Sequence, residues 1–337
     1  GKDLIGFDYD QLLPYVKAEK PAFTVVSGDF VTTDEGTGIV HISLTFGSDD
    51  FYVSKKNNLP GIFVKNDKNE DVPIVDKSGK FVKEIIDFAG LQVKAFSDVE
   101  GLTTDEQISI KLKKENKAFD VKKYEHSYPH CWRTDKPILY YPLESWFINS
   151  TKLKDDFINK NKYINWQPES TGTGRFGNWL ENLVDWNLSR SRFWGTPLPI
   201  WRTKDGKDEI CIGSINELKS EIKKSVDLGF MKNNISDNID LHRPFVDEII
   251  LASKEGSPMY RETDIIDVWY DSGSMPFAQY HYPFENKDVF DKMFPAKFIA
   301  EGVDQTRGWF FTLHAISIML FGKVSYENVI SNGLVLD

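Results

Sequence analysis

Glu301-Gly302-Val303-Asp304-Gln305 packs two acids, an amide and a glycine into five consecutive positions. Carboxylates accept hydrogen bonds with charge assistance, so such a turn is suited to gripping a polar ligand. Before it, Lys297 to Ala300 is a short apolar run with strand character. From Gln305 to Phe321 the chain is long, mostly apolar and free of proline. Apolar residues fall on nearly every face of that segment, which predicts a buried helix. Asp304 stands where an N-cap belongs and would satisfy the first free amides. Strand, polar turn and helix is how open α/β sheets build sites at the carboxyl ends of their strands. The same residues also fit an ordinary connection with a good cap.

A second group that tempts a chemical reading is His126, His130 and Cys131. Their spacing matches no common closed metal site, which favours a structural role. Ser253-Lys-Glu-Gly-Ser-Pro brings no cysteines for zinc either, so no zinc is expected in this segment.

The elements that must position these groups belong to a chain of 337 residues, enough for two or three domains with real cores. With 40% hydrophobic and 27% charged residues the composition is globular rather than disordered. No apolar run reaches the roughly 18 residues of a membrane span, so no membrane association is expected. The start, Gly1-Lys-Asp-Leu-Ile-Gly6, has neither an initiator Met nor a signal-peptide layout. A processed chain or a piece of something larger fits that start. Two cysteines without a CxxC pairing exclude a disulfide scaffold and suit a reducing cytoplasm. A net charge of −10 does not advertise nucleic acid, although binding depends on local clusters rather than totals. Nine Trp and 24 Phe among many carboxylates keep a carbohydrate-active enzyme as a rival. That rival lacks a specific carboxylate pair.

Residues 1 to about 125 are rich in short β-type runs: Phe23-Thr-Val-Val-Ser, Gly38-Ile-Val-His-Ile-Ser, Gly61-Ile-Phe-Val-Lys and Val72-Pro-Ile-Val. Turn clusters at Asn66-Asp-Lys-Asn and Asp76-Lys-Ser-Gly separate them, which predicts an antiparallel, barrel-like domain. A helix is expected from Thr104 to Lys117, where Thr104-Asp-Glu-Gln resembles a capping signal. Tyr124 to Trp146 reads as an irregular return segment. Lys152, Lys154, Lys160 and Lys162 read as a solvated helix face, and residues 203–262 as a charged peripheral insertion.

Several motifs together resemble the isoleucyl-tRNA synthetase family. They are Gly36-Thr-Gly-Ile-Val-His41 with Gly47-Ser-Asp-Asp50, and His126-Ser-Tyr-Pro-His-Cys-Trp-Arg133 with Ser145-Trp-Phe147. Asp185-Trp-Asn-Leu-Ser-Arg-Ser-Arg-Phe-Trp-Gly195, Asp267-Val-Trp-Tyr-Asp-Ser-Gly-Ser274 and Glu301-Gly-Val-Asp-Gln305 complete the set. They follow the family's order across nearly the whole chain. Valyl- and leucyl-type relatives share the architecture, but His-Ser-Tyr-Pro and Ser-Met-Pro-Phe-Ala-Gln-Tyr-His-Tyr look isoleucyl.

The resemblance implies an α/β chain: part of a class I Rossmann-like catalytic domain with an inserted, mostly antiparallel β-barrel editing domain. Its domains would be editing at 1–142, a return segment with catalytic portion at 143–202, a smaller insertion at 203–262, and the second half of the catalytic fold at 263–337. The family's two ATP signatures, its threonine-rich editing strand and its anticodon-binding domain have no counterpart here. An internal fragment, inactive in synthesis by itself, is therefore expected. The parent activity would be activation of isoleucine with ATP and Mg2+ and transfer to tRNA(Ile), in a cytoplasmic enzyme expected to be a monomer.

By the same resemblance Glu301, Gly302 and Asp304 would hold the adenylate ribose, and Gln305 the α-ammonium. Trp269 and Trp309 would line the isoleucine pocket, although either suits a core as well. An apolar pocket rejects one missing methylene by only roughly 1–3 kcal/mol, for which this enzyme family is itself the worked example. A second, hydrolytic site for Val-tRNA(Ile) is then implied, with Asp50 anchoring the ammonium and His41 near the scissile ester. Arg190, Arg192 and Trp194 read either as acceptor-strand contacts or as braces of the catalytic core. A stand-alone tRNA-binding or trans-editing module is the alternative, and the surviving synthetic motifs argue against it.

Overall fold

Local turn chemistry rather than strand pairing organises the first part of the chain in a computed structural model that describes residues 1–34, 37–67, 69–94, 101–123, 125–232 and 239–334. Its contacts divide into two units, Gly1–Leu143 and Glu144–Asp337. Among the described residues no helix is long and apolar enough to cross a membrane.

In the first unit, helix α1 (Ser48–Lys56) starts after Gly47, whose φ of 92° lies in the region open to glycine. Asp49 and Asp50 sit in its first turn and Lys55 and Lys56 in its last, the charge order that the helix dipole favours. Strands β1 (Phe63–Lys65) and β2 (Asp71–Pro73) pair antiparallel with Phe63 opposite Pro73. Helix α2 (Thr104–Lys114) is closed by a reciprocal capping box. Its cap is Thr103, one residue before the expected signal, with the Glu106 side chain accepting the Thr103 backbone N–H at 2.9 Å.

Two of the four expected strands do not form. Phe23–Ser27 makes no regular strand, although Thr24 bridges Asp8 and backbone hydrogen bonds join residues 23–25 to residues 6–9, and residues 38–43 are irregular. Both runs instead border a cavity of about 850 Å3. Their β-branched side chains favour a pleated surface only where a partner strand supplies one. The pairings within this unit are antiparallel, but no closed barrel forms among the described residues. Gly36, the first residue of one motif, lies outside those residues.

The second unit opens with β3 (Phe147–Ile148), α3 (Lys154–Asn161) and β4 (Asn165–Gln167). A π-helical turn, Thr171–Phe176, runs into α4 (Gly177–Glu181). Then come β5 (Trp186–Asn187), which pairs with β3, and β6 (Ser189–Arg190). Residues 200–261 build a separate antiparallel sheet from β7 (Ile200–Thr203), β8 (Glu209–Cys211), β9 (Ile250–Ala252) and β10 (Pro258–Arg261), in the order β8-β7-β10-β9. Its helix α5 (Ile215–Asp227) buries Leu218, Ile222 and Ser225, one stripe at helical spacing. That stripe closes a core with Trp201, Leu251 and Met259. The charged stretch is therefore a packed layer of sheet and helix.

After it, β11 (Ile265–Ile266) pairs with β6, and helices α6 (Val268–Gly273), α7 (Met275–Ala278) and α8 (Lys287–Met293) follow. The chain ends in β12 (Ile299–Gly302), α9 (Trp309–Phe321) and β13 (Asn328–Asn332). Strands β12, β13 and β4 form a parallel sheet in that order. Phe310 to Ile318 of α9 are all buried, and Gly322 ends the helix at φ 64°. Phe157, Trp166, Phe176, Phe310, Tyr326 and Val329 form one aromatic-rich core beneath the sheet. The Tyr326 hydroxyl donates to the Phe310 carbonyl at 2.8 Å, tying α9 to the entry of β13.

Candidate active site

The carboxyl end of β12 delivers the polar cluster. Glu301 and Gly302 close the strand beside Ser331 and Asn332 of β13. Val303 to Arg307 then make a 3-10 turn, and α9 begins only at Trp309. This corrects the expected start at Gln305 and the expected cap. Asp304 does not cap the helix; the Gln305 side-chain carbonyl accepts the Trp309 backbone N–H at 2.9 Å. The Gln305 amide donates to an Asp304 carboxylate oxygen at 3.1 Å. The other Asp304 oxygen curls back over the strand end, where a Cβ on Gly302 would meet it at 2.4 Å. The N-cap position itself is Gly308, which has no side-chain oxygen, and the Gln305 amide three residues earlier satisfies the first helical N–H instead.

Gly308 is the meeting point of the turn and α6. A Cβ there would lie 2.7 Å from the Gln305 carbonyl oxygen and 3.2 Å from the Trp269 ring. Trp309 donates its indole N–H to the Ser272 carbonyl on α6 at 3.0 Å. Trp269 and Trp309 are thus brought together across one glycine, with Trp269 41% exposed. Gly273 lets α6 lie on α9, since a Cβ there would approach Ile316 and Thr312 to 2.8–2.9 Å. Thr306 is fully buried and accepts the Arg175 Nε–H at 3.0 Å, which joins the turn to the π-helical segment after β4.

Asp267, a residue quoted in a motif but given no role, organises the other side. It is buried, caps α6 through the Trp269 N–H, and accepts from Trp186 Nε1 at 3.0 Å and Arg190 Nη2 at 2.9 Å. Arg190 also donates to the Asn187 and Ser189 carbonyls, so its guanidinium is tied to the fold while the side chain stays 40% exposed. Arg192 and Trp194 are exposed, Trp194 edge-on to Phe193 at 4.9 Å. The spacing Asp267-Val-Trp pairs a helix-capping acid with a short apolar run. That was the available signal for Asp267.

In the first unit, His41 is exposed and lines the 850 Å3 cavity, together with Thr45 and mostly apolar side chains such as Val40, Leu44 and Ile62. Asp50 lies in the first turn of α1. Its carboxylate folds over Gly47, where a Cβ would lie 2.5 Å away. Burial pushes the Asp50 carboxyl above its ordinary range, opposed by the Ser43 N–H and nearby His41. His126, His130 and Cys131 form no metal cluster, and none exists among the described residues. The His130 ring nitrogen meets the Tyr128 carbonyl at 2.8 Å.

Comparison with known proteins adds an independent line. The profile of tRNA synthetases class I (I, L, M and V) matches residues 82–337. Isoleucine–tRNA ligase of Cytophaga hutchinsonii is 62% identical over all of this chain and 31% of its own length. That of Clostridium acetobutylicum is 48% identical over all of this chain and 30% of its own length. The chain thus spans about a third of the curated relatives it matches. Among solved structures, Mycobacterium tuberculosis methionyl-tRNA synthetase bound by methionyl-adenylate aligns over 61% of this chain and 29% of its own. Its identity is 14% and its TM-score 0.33, too distant to inform the site.

Proposed function

The chain belongs to the class I tRNA synthetases of the I, L, M and V group, and from that premise we propose that it is part of an isoleucine–tRNA ligase. The parent enzyme activates isoleucine with ATP and transfers it to tRNA(Ile). The observation that carries the reading is the convergence of Trp269, Gln305 and Trp309 on Gly308 beside the Asp304 carboxylate. Glu301 and Asp304 offer charged acceptors to a ribose diol, and Gly302, lacking a Cβ, lets the Asp304 carboxylate lie over the strand end. The two tryptophans offer apolar faces to a branched aliphatic side chain. The Gln305 carbonyl retains a second lone pair for the α-ammonium after capping α9.

ATP would bring Mg2+. The described residues hold no group of three or more metal-ligating side chains. Binding of a non-hydrolysable isoleucyl-adenylate analogue, measured by calorimetry, tests the site. Asp304→Ala should weaken binding at least tenfold. Equal affinity in the variant would sink the ribose assignment.

A hydrolytic role for the first unit, as an inserted β-barrel-type editing domain, follows from the His41–Asp50 neighbourhood beside an apolar cavity. Asp50 anchors the ammonium of a misacylated tRNA end, and the cavity takes its small aliphatic side chain. Hydrolysis of Val-tRNA(Ile) that survives Asp50→Ala would rule this out.

A further inference from the structure

Eight arginines occur in the chain, and four of them, Arg190, Arg202, Arg243 and Arg261, pair with carboxylates. Two of the four that pair with no carboxylate among the described residues converge on one place. Arg175 lies in the π-helical turn after β4, and Arg307 ends the 3-10 turn after β12. Arg175 uses Nε on Thr306, the residue before Arg307, which leaves both of its Nη groups without an acceptor. Arg307 lies over the Trp179 ring at 5.4 Å, and Trp179 is one helical turn beyond Arg175. Both guanidiniums are exposed, and the Trp179 indole N–H beside them is buried with no partner.

The place is thus rich in donors and carries no paired acid, in a chain with 51 carboxylates. Each anchor fixes a guanidinium: the Thr306 hydrogen bond holds Arg175, and the indole face holds Arg307. Both arginines enter from connections that leave the carboxyl edge of the parallel sheet. A planar guanidinium with free Nη donors matches a phosphate, and the Thr306–Arg307 link brings two of them to neighbouring turns.

We propose that Arg175 and Arg307 form a phosphate clamp for the backbone of a single-stranded nucleic-acid end that approaches the carboxyl edge of the parallel sheet. The inference rests on the reading that tRNA is the partner, and it assigns residues to a contact that reading leaves open. Glycines at 172, 174 and 177 surround Arg175, and no atom would lie within 4 Å of a Cβ on Gly174. The backbone there is accessible to a strand.

The test is anisotropy of a fluorescein-labelled single-stranded oligoribonucleotide against the whole chain over a salt series. The slope of log K against log salt should fall by roughly 0.7 for each arginine removed in Arg175→Gln and Arg307→Gln. Arg133→Gln, which removes an unpaired arginine of the first unit, should leave the slope unchanged, and Arg175→Lys should retain most of it. An unchanged slope in the double variant, or an equal drop in Arg133→Gln, overturns the clamp. Weakened ATP binding with RNA binding intact assigns the pair to a nucleotide's phosphates and also overturns it. The adenylate analogue separates the two readings: its failure to bind the unaltered chain sinks the proposed function, whereas normal binding with an unchanged RNA slope sinks only the clamp.

Discussion

The side-chain carbonyl of Gln305 accepts the backbone N–H of Trp309 at 2.9 Å, and so one amide both starts α9 and borders the proposed adenylate site. Removal of a helix cap costs about 1 kcal/mol. Gln305→Ala should therefore lower stability in urea by that amount and also weaken binding of the adenylate analogue. Asp304→Ala, which removes no cap, should stay within about 0.5 kcal/mol of the unaltered chain. Equal losses in the two variants would contradict the assignment.

Gly273 separates α6 from α9 by less than a methyl group. Gly273→Ala forces the added carbon against Ile316 and the Thr312 backbone, and overpacking of this kind costs roughly 1–3 kcal/mol. Because α6 carries Trp269, analogue binding should fall with it. Ile316→Val in the same chain should restore part of the loss, which a double-mutant cycle in urea would read.

His314 lies in the middle of α9, fully buried, with one ring nitrogen on the Phe157 carbonyl at 2.9 Å and Nδ1 without a partner. Burial pulls its pKa down from 6.5 to about 4. The unfolded chain therefore binds more protons than the folded chain between those values. This contribution is intact above pH 6.5 and is lost as pH falls toward 4, by about 3 kcal/mol in all. His314→Gln should flatten the slope of stability against pH across that window, and a slope as steep in the variant would exclude His314 as its source.

Asp267 accepts hydrogen bonds from α6, Trp186 and Arg190 together. Asp267→Ala should cost roughly 1.5–3 kcal/mol in urea, the range for hydrogen bonds to charged groups. Asp267→Asn keeps an acceptor and a cap and should lose distinctly less. If both substitutions cost the same, charge rather than hydrogen bonding dominates at this position.

Helix α9 was legible in the sequence because residues 309–321 are apolar on every face and lack proline. Its first turn was not, since a Gln four residues before the first amide is a less familiar cap than an Asp. The strand before it was legible but shifted: it runs over Ile299–Gly302, so Glu301 and Gly302 close the strand rather than open the turn. The sheet of residues 200–261 was missed because its strands are only three or four residues long and are separated by charged turns. In the first unit the opposite error arose: β-type composition at 23–27 and 38–43 was read as strand, yet pairing depends on a neighbour that the segment itself does not encode. Arg190 was legible as functional or structural but not as both options resolved, because its partner Asp267 lies 77 residues away.

Strand β4 finds its neighbour β13 across 163 residues, Asn165 beside Asn328. On a ribosome adding 5–20 residues per second, that gap lasts on the order of ten to thirty seconds. Phe157, Trp166 and Phe176 emerge first with only Ile164, Leu180 and Leu183 of their core, and Phe310 and Val329 complete it later. The sheet of residues 200–261 finds its partners locally and can settle in the meantime. Loop closure grows only logarithmically with length, so the delay is kinetic rather than a burden on final stability. The aromatic core is thus incomplete over one specific interval of synthesis.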